Sequence, residues 1–147
     1  MKIVNKTAPR DFSIEQKFEA GIVLQGQEVK AVKLGHADLT GSYVKLLGNE
    51  AFLINARIFP YAFARTDGFQ ETRSRKLLLH KRELLTIKTK LAEGKHTIIG
   101  LSLYETKTGL VKVEVGLAKG KKSFDKRRDL KQKDMLRDTE QEMKNYN

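Results

Sequence analysis

The stretch Phe12–Leu24, FSIEQKFEAGIVL, decides the fold. Phe12, Ile14, Phe18, Ala20, Ile22 and Leu24 fall on alternate positions, and Gln16 alone breaks that apolar set. The positions between hold Ser13, Glu15, Lys17, Glu19, Gly21 and Val23. Side chains of a strand point to its two faces by turns, so the pattern predicts a strand with one face in a core. The run is long for one flat strand, and Gly21 is the expected place for a bend or bulge.

Downstream the period changes. Over Gly26–Gly35, Val29 and Val32 stand three apart beside Ala31 and Leu34. Glu28 lies early and Lys30 and Lys33 late, as the helix dipole favours, and Gly35 is a natural stop. A short helix is predicted there. Tyr43–Leu47 and Ala51–Ile58 then predict two strands joined at Gly48-Asn49, with Phe52, Ile54, Ala56 and Ile58 on one face of the second. Pro60 and Gly68 punctuate a polar loop over Phe59–Ser74. Leu77, Leu84 and Leu91 recur every seven residues and predict a helix over Arg75–Glu93, although Leu77-Leu78-Leu79 also suits extended chain at its start. Ile99, Leu101 and Leu103 face Val111, Val113, Val115 and Leu117 across a polar turn in a second hairpin. The expected fold is mainly β: a small antiparallel OB-like β-barrel with two or three helices and a basic C-terminal tail. Closing the sheet removes its exposed edges.

The tail begins where the composition shifts, after Leu117. Lys119, Lys121, Lys122, Lys126, Arg127, Arg128, Lys131, Lys133, Arg137 and Lys144 crowd it, and its large apolar residues form no continuous stripe. Such a segment cannot bury enough surface to fold alone. The division is therefore a barrel over 1–122 and a tail over 123–147, mobile until it meets a partner.

Charge narrows the function. Twenty-nine Lys and Arg against eighteen Asp and Glu give a net charge of +11 in 147 residues. A field of that sign attracts polyanions, and nucleic acid leads because neutralised phosphates release counterions. With no cysteine there is no disulfide framework and no thiolate metal site. No apolar run approaches the roughly 20 residues of a membrane span, and the polar, basic start offers no secretory signal, so a cytoplasmic protein without membrane contact is expected. His36, His80 and His96 lie in separate segments without metal-ligand company, and no carboxylate pair for acid–base work is readable. No enzyme and no cofactor are expected.

The binding residues are less clearly marked. Gly116–Lys122, GLAKGKK, lacks the spacing and the Ser or Thr of a phosphate-binding loop. It reads instead as a place where main chain at Gly116 and Gly120 approaches a ligand among Lys119, Lys121 and Lys122, or as an ordinary basic junction. Glu28 is either a first-turn helix charge or an acceptor for exposed base edges. Tyr43, Phe59, Tyr61, Phe63 and Phe69 are aromatic candidates for stacking that the sequence alone does not sort.

Four blocks carry a family likeness: FEAGIVLQGQEVKA at Phe18–Ala31, Ser42-Tyr43 with Leu53–Tyr61, RKLLLHKRE at Arg75–Glu83, and GLAKGKKSFDKR at Gly116–Arg127. In order and spacing the chain resembles the small protein B family from about Asn5 to Lys144. It departs at Lys6, at Ala31, in the loop Ala64–Thr72 and at Phe124, where the family usually has tyrosine. The resemblance implies an OB-like barrel that grips the tRNA-like domain of transfer-messenger RNA, and a tail that turns helical in the empty message channel of a stalled 70S ribosome, against ribosomal RNA of the decoding centre. It implies no catalysis, and a monomer is expected. By motif match, Asn5, Glu28, Lys119, Lys121 and Lys122 would contact RNA, and Asp125, Lys126, Arg127, Arg128, Lys131 and Lys133 would serve the ribosome-binding tail. A generic OB-fold RNA binder or a ribosomal protein is the alternative.

Overall fold

The computed structural model describes residues 2–64 and 67–120. Lys121, Lys122 and the whole of 123–147 therefore lie outside the described residues, and so do Arg65 and Thr66 within the long loop. In chain order the elements are β1 (Lys2–Val4), α1 (Ala8–Asp11), β2 (Phe12–Ile22), α2 (Gly26–Lys33), β3 (Ala37–Asp38), β4 (Tyr43–Leu47), β5 (Glu50–Ile54), β6 (Arg57–Ile58), β7 (Arg75–Leu78), α3 (Lys81–Ala92), β8 (Thr97–Glu105) and β9 (Val111–Gly120).

The strands close on themselves. In the order β8, β4, β5, β7, β2, β9 each pairs with the next, and β9 returns to β8; β1 adds to the free edge of β8. Every pairing is antiparallel. The result is the expected mainly-β, OB-like barrel, with three helices. Its core holds Phe18, Ala20, Val44, Leu53, Leu77, Leu103, Val113, Val115 and Leu117 from the strands, Ala31 and Val32 from α2 and Ile87 from α3.

The decisive stretch is a strand, but its irregularity lies elsewhere than at Gly21. The β2–β9 register pairs Ile14 with Ala118 and Gln16 with Leu117, so the extra residue of a bulge is Glu15. The bulge reverses which face of the sheet the even positions meet. Phe18 and Ala20, opposite Val115 and Val113, point into the barrel. Phe12 and Ile14 pack instead with Ala8, Ile99, Leu101 and Ala118 in a second, smaller core under α1. Gln16, which spoiled the alternation, sits at that crossing. Gly116 belongs to the second core: a Cβ there would lie 2.8 Å from Leu101 Cδ1 and 3.1 Å from Ile14 Cγ2. Its small size serves packing and not, as expected, the approach of a ligand. Gly120 faces open space.

Two expected elements are divided. The run Ala51–Ile58 is not one strand, because Asn55 adopts φ 64° and breaks it. Ala51 and Leu53 point inward before the break, and Ala56 and Ile58 after it. The second piece pairs with Ala37–Asp38, away from the barrel sheet. The helix expected over Arg75–Glu93 starts only at Lys81. Arg75–Leu78 is the strand that joins Ala51–Leu53 on one side to Gly21–Ile22 on the other. The helix begins where Glu83 Oε1 accepts from the His80 N–H at 3.2 Å. That capping pair with His in the Ser or Thr position is a weak signal in sequence. The Gly48-Asn49 turn is as expected, with Leu47 paired to Glu50 and the positive φ of 63° at Gly48, the first central residue.

Candidate nucleic-acid interface

Glu28 is completely buried on the inner side of α2. Its Oε1 accepts from the Gln25 N–H at 2.8 Å, capping the helix, and from Arg73 Nη2 at 2.6 Å. Its Oε2 accepts from Arg75 Nε at 2.9 Å and Nη2 at 2.7 Å. Both oxygens are thus filled, with no lone pair left for a base. Arg75, equally buried, also donates to Ala56 O at 2.6 Å and Glu71 O at 2.9 Å. One ion pair therefore ties α2, the Asn55 break, the long loop and β7 together. Burial works to raise the Glu28 carboxyl, but hydrogen bonds from Arg73, Gln25 and Arg75 outweigh it and hold the group below its ordinary value. Burial lowers Arg75, against the opposing charge of Glu28. Within the fold Glu28 is a structural counterion that fixes Arg73 and Arg75 against α2.

Asn5 is also buried and fully engaged. It stands on the edge of β8 where β1 ends and β4 has not yet begun. Its N–H donates to Leu101 O at 2.8 Å and its Nδ2 to Gly100 O at 2.8 Å and Leu39 O at 3.3 Å. Its Oδ1 accepts from the N–H of Thr7 at 3.3 Å and from Thr7 Oγ1 at 3.2 Å. The side chain continues the ladder across a gap in the backbone. Asn5→Ala is expected to strand two buried carbonyls and cost about 1–3 kcal/mol. Thermal melting should show the loss, while the protein that remains folded keeps its RNA affinity; an unchanged melting temperature with weaker RNA binding would make Asn5 a contact residue instead.

Lys119 is exposed near the end of β9. Its Nζ lies 3.4 Å from Glu15 Oε2, and Glu15 Oε1 meets His96 Nε2 at 3.1 Å. The His96 hydrogen bond is the main cause that holds Glu15 below its ordinary value, with Lys119 adding to it against desolvation. Asn5, Glu28 and Lys119 share no hydrogen-bonding or ion-pair partner. Of the aromatic candidates, Tyr43, Phe59 and Phe63 are exposed and Tyr61 and Phe69 half-buried, so none belongs to the core.

The barrel wall holds a cleft that the sequence reading missed. The registers place Tyr104 beside Lys112, Lys112 beside Gly21 and Gly21 beside Leu78, one row across β8, β9, β2 and β7. A cleft of about 520 Å³ opens over it, lined among others by Glu19, Leu78, His80, Glu83, Leu110 and Lys112. Gly21 is the low point of the row, and a Cβ there would press on Leu78 Cβ at 3.3 Å. Leu78 and Leu110 are more than half exposed. Tyr104 donates its hydroxyl proton to Glu19 Oε2, and Lys112 Nζ stands 3.9 Å from Glu19 Oε1. Desolvation first, then the hydrogen bond and charge of Glu19, push the Tyr104 hydroxyl up, so it stays a donor. The carboxylate itself is open to solvent and keeps lone pairs free. The acceptor role considered for Glu28 is therefore available at Glu19. Beside it stand a cation for phosphate and bare leucines for a base or ribose. Lys119, seven residues from Lys112, is roughly 23 Å away along the strand at about 3.3 Å per residue. The one signal for Glu19 in sequence was its place on the solvent side of the alternation, two residues before Gly21.

Among the described residues no group of three or more His, Cys, Asp or Glu could hold a metal ion, and no helix is long and apolar enough to cross a membrane. A closed barrel, a strongly basic balance and a wall cleft of this chemistry define a class, the barrel-type nucleic-acid-binding proteins. The chain belongs to the SmpB protein family, whose model matches residues 2–145. It is 50% identical to the SsrA-binding protein of Geotalea uraniireducens over 97% of this chain and 94% of that protein. It is 46% identical to the SsrA-binding protein of Pelobacter propionicus over 97% of this chain and 93% of the other. A chain of the solved structure "tmRNA-SmpB: a journey to the center of the bacterial ribosome" is similar at TM-score 0.71 and 37% identity, covering 97% of this chain and 99% of that one.

Proposed function

We propose that this chain binds the tRNA-like domain of transfer-messenger RNA and delivers it to stalled ribosomes, acting in the cytoplasm and catalysing nothing itself. The end-to-end similarity to a chain of the tmRNA-SmpB ribosome structure carries the reading. The barrel, 1–122, is the RNA-binding part. Its cleft holds the RNA: Glu19 accepts from base amino groups, Lys112 meets a phosphate and Leu78 packs on a base or ribose. Asn5 and Glu28 act one step back, by fixing the edge of β8 and the α2–loop corner. Lys119, Lys121 and Lys122 add phosphate contacts where the barrel meets the tail. The tail, 123–147, serves the ribosome through Asp125, Lys126, Arg127, Arg128, Lys131 and Lys133, taking helical form against ribosomal RNA.

The cleft makes a prediction opposite to that of simple charge. Glu19→Gln makes the protein more positive, so electrostatics alone predicts tighter binding. Loss of a charged acceptor predicts affinity for transfer-messenger RNA weaker by roughly ten- to a hundredfold, from about 1.5–3 kcal/mol for a hydrogen bond to a charged group. Lys112→Ala should also weaken binding and make the slope of log K against log salt shallower by about 0.9. Equal or tighter binding by Glu19→Gln, with the fold intact, would remove the cleft from the interface.

A further inference from the structure

The cleft leaves the most conspicuous exposed side chain without a use. Phe63 is 87% exposed, more than any other large apolar residue described. It stands in a turn closed by the Ala64 N–H donating to Tyr61 O at 3.1 Å, just after Pro60. Its ring meets that of Tyr61 edge to face, with centroids 5.6 Å apart and planes at 69°. Lys30 of α2 holds its Nζ 5.5 Å from the centre of the Tyr61 ring. Phe59, also exposed, anchors the start of the loop through its N–H to His36 O at 3.1 Å.

A single exposed phenylalanine is ordinary on a protein surface. This one differs in its support and its company. The loop that carries it is fastened at its far end by Arg75 to Glu71 O, and α2 below it by the Arg75–Glu28 pair. The turn's own hydrogen bond and the flanking Tyr61 ring already restrict the Phe63 ring, so less of its freedom is left to lose on binding. A neighbouring ring flanks it and an ammonium group stands within reach of a phosphate. Every nucleobase has a face that stacks on such a ring, and the cation adds the backbone contact. A base paired inside a duplex has both faces covered by its neighbours, so the partner must be unpaired. None of Lys30, Tyr61 and Phe63 lines the cleft.

We propose that Phe63, Tyr61 and Lys30 form a second RNA contact, a stacking platform for an unpaired nucleotide, distinct from the Glu19–Lys112 cleft. It rests on the RNA-binding reading above. The nucleotide comes from a loop of the bound RNA or from ribosomal RNA, and the chemistry is the same for both.

The full chain should be titrated with a labelled single-stranded RNA of mixed sequence and with the same strand annealed to its complement. Phe63→Ala, at an exposed turn where the fold is untouched, should lose about tenfold on the single strand and little on the duplex. Phe63→Trp should restore it, and Lys30→Ala should lose less. A parallel loss on free transfer-messenger RNA assigns the nucleotide to that RNA; a loss confined to tagging on stalled ribosomes at saturating transfer-messenger RNA assigns it to the ribosome. Either supports the platform. Equal single-strand binding by the wild type and Phe63→Ala overturns it while leaving the cleft and the proposed function standing. So does a Phe63→Ala chain that loses binding to phosphatidylglycerol vesicles but not to RNA. A wild-type chain that binds neither these strands nor free transfer-messenger RNA overturns the RNA-binding reading itself, and the platform with it.

Discussion

Glu28→Gln is expected to cost the fold about 3–5 kcal/mol and to lower the melting temperature by roughly 10 °C. The carboxylate is wholly buried against Arg75, and Arg73 closes the site from a partly exposed position with 30% of its side chain accessible. An amide in its place turns an NH₂ donor toward guanidinium donors and leaves the buried charge of Arg75 without its counterion. Desolvation offsets much of the attraction within the intact pair. Removing one partner alone is the costly change. The effect should depend on pH. The folded carboxyl titrates below its ordinary value of 4.5, so its contribution is complete above that pH and drains away as the pH falls through the folded value. The wild type should therefore lose its advantage over Glu28→Gln in acid and keep it at neutral pH. Thermal melts of both proteins from pH 7 downward check this. Weaker RNA binding by Glu28→Gln with an unchanged melting temperature would instead return Glu28 to the RNA surface.

The two carboxylates Glu19 and Glu28 show how far sequence reaches. Period decided most of the barrel: alternation in the stretches that became β2, β8 and β9, and the three-residue spacing of Val29 and Val32 in α2. What escaped was set by pairs distant in the chain. Arg75 lies 47 residues from Glu28, and no local pattern tells that its guanidinium fills the carboxylate. Glu28 drew notice as an acidic residue in a basic domain, whereas Glu19 passed as the ordinary solvent side of a strand. Only the lateral row Tyr104–Lys112–Gly21–Leu78 turns Glu19 into part of a cleft, and that row exists through strand register. The start of α3 was ambiguous for a related reason. Leu77 and Leu79 satisfy both periods, and the barrel chose between them by needing β7 to join β5 to β2. The breaks at Glu15 and Asn55 are single-residue events that move the inward face from one parity to the other. Gln16 was a visible trace of the first, and a lone Asn gave no comparable trace of the second.

The division into barrel and tail predicts a separation of activities. Every core residue of the described barrel lies before Lys119, and the last rung of the β2–β9 ladder pairs Phe12 with Gly120. A chain ended after Ser123 should therefore melt near the temperature of the full protein. It should also support almost no peptide tagging in a reconstituted translation reaction with stalled ribosomes. The missing residues include Lys126, Arg127, Arg128, Lys131 and Lys133, whose charges suit ribosomal phosphates. Normal tagging by the shortened chain would remove the tail from the mechanism, and an unfolded shortened chain would make the tail part of the barrel.

The affinity of that shortened chain for free transfer-messenger RNA is the most direct test of the central claim, that the folded barrel itself grips the RNA. A dissociation constant close to that of the full chain, weakened again by Glu19→Gln, is the predicted result. Loss of binding by a shortened chain that melts normally would contradict it and place the RNA contact in the tail.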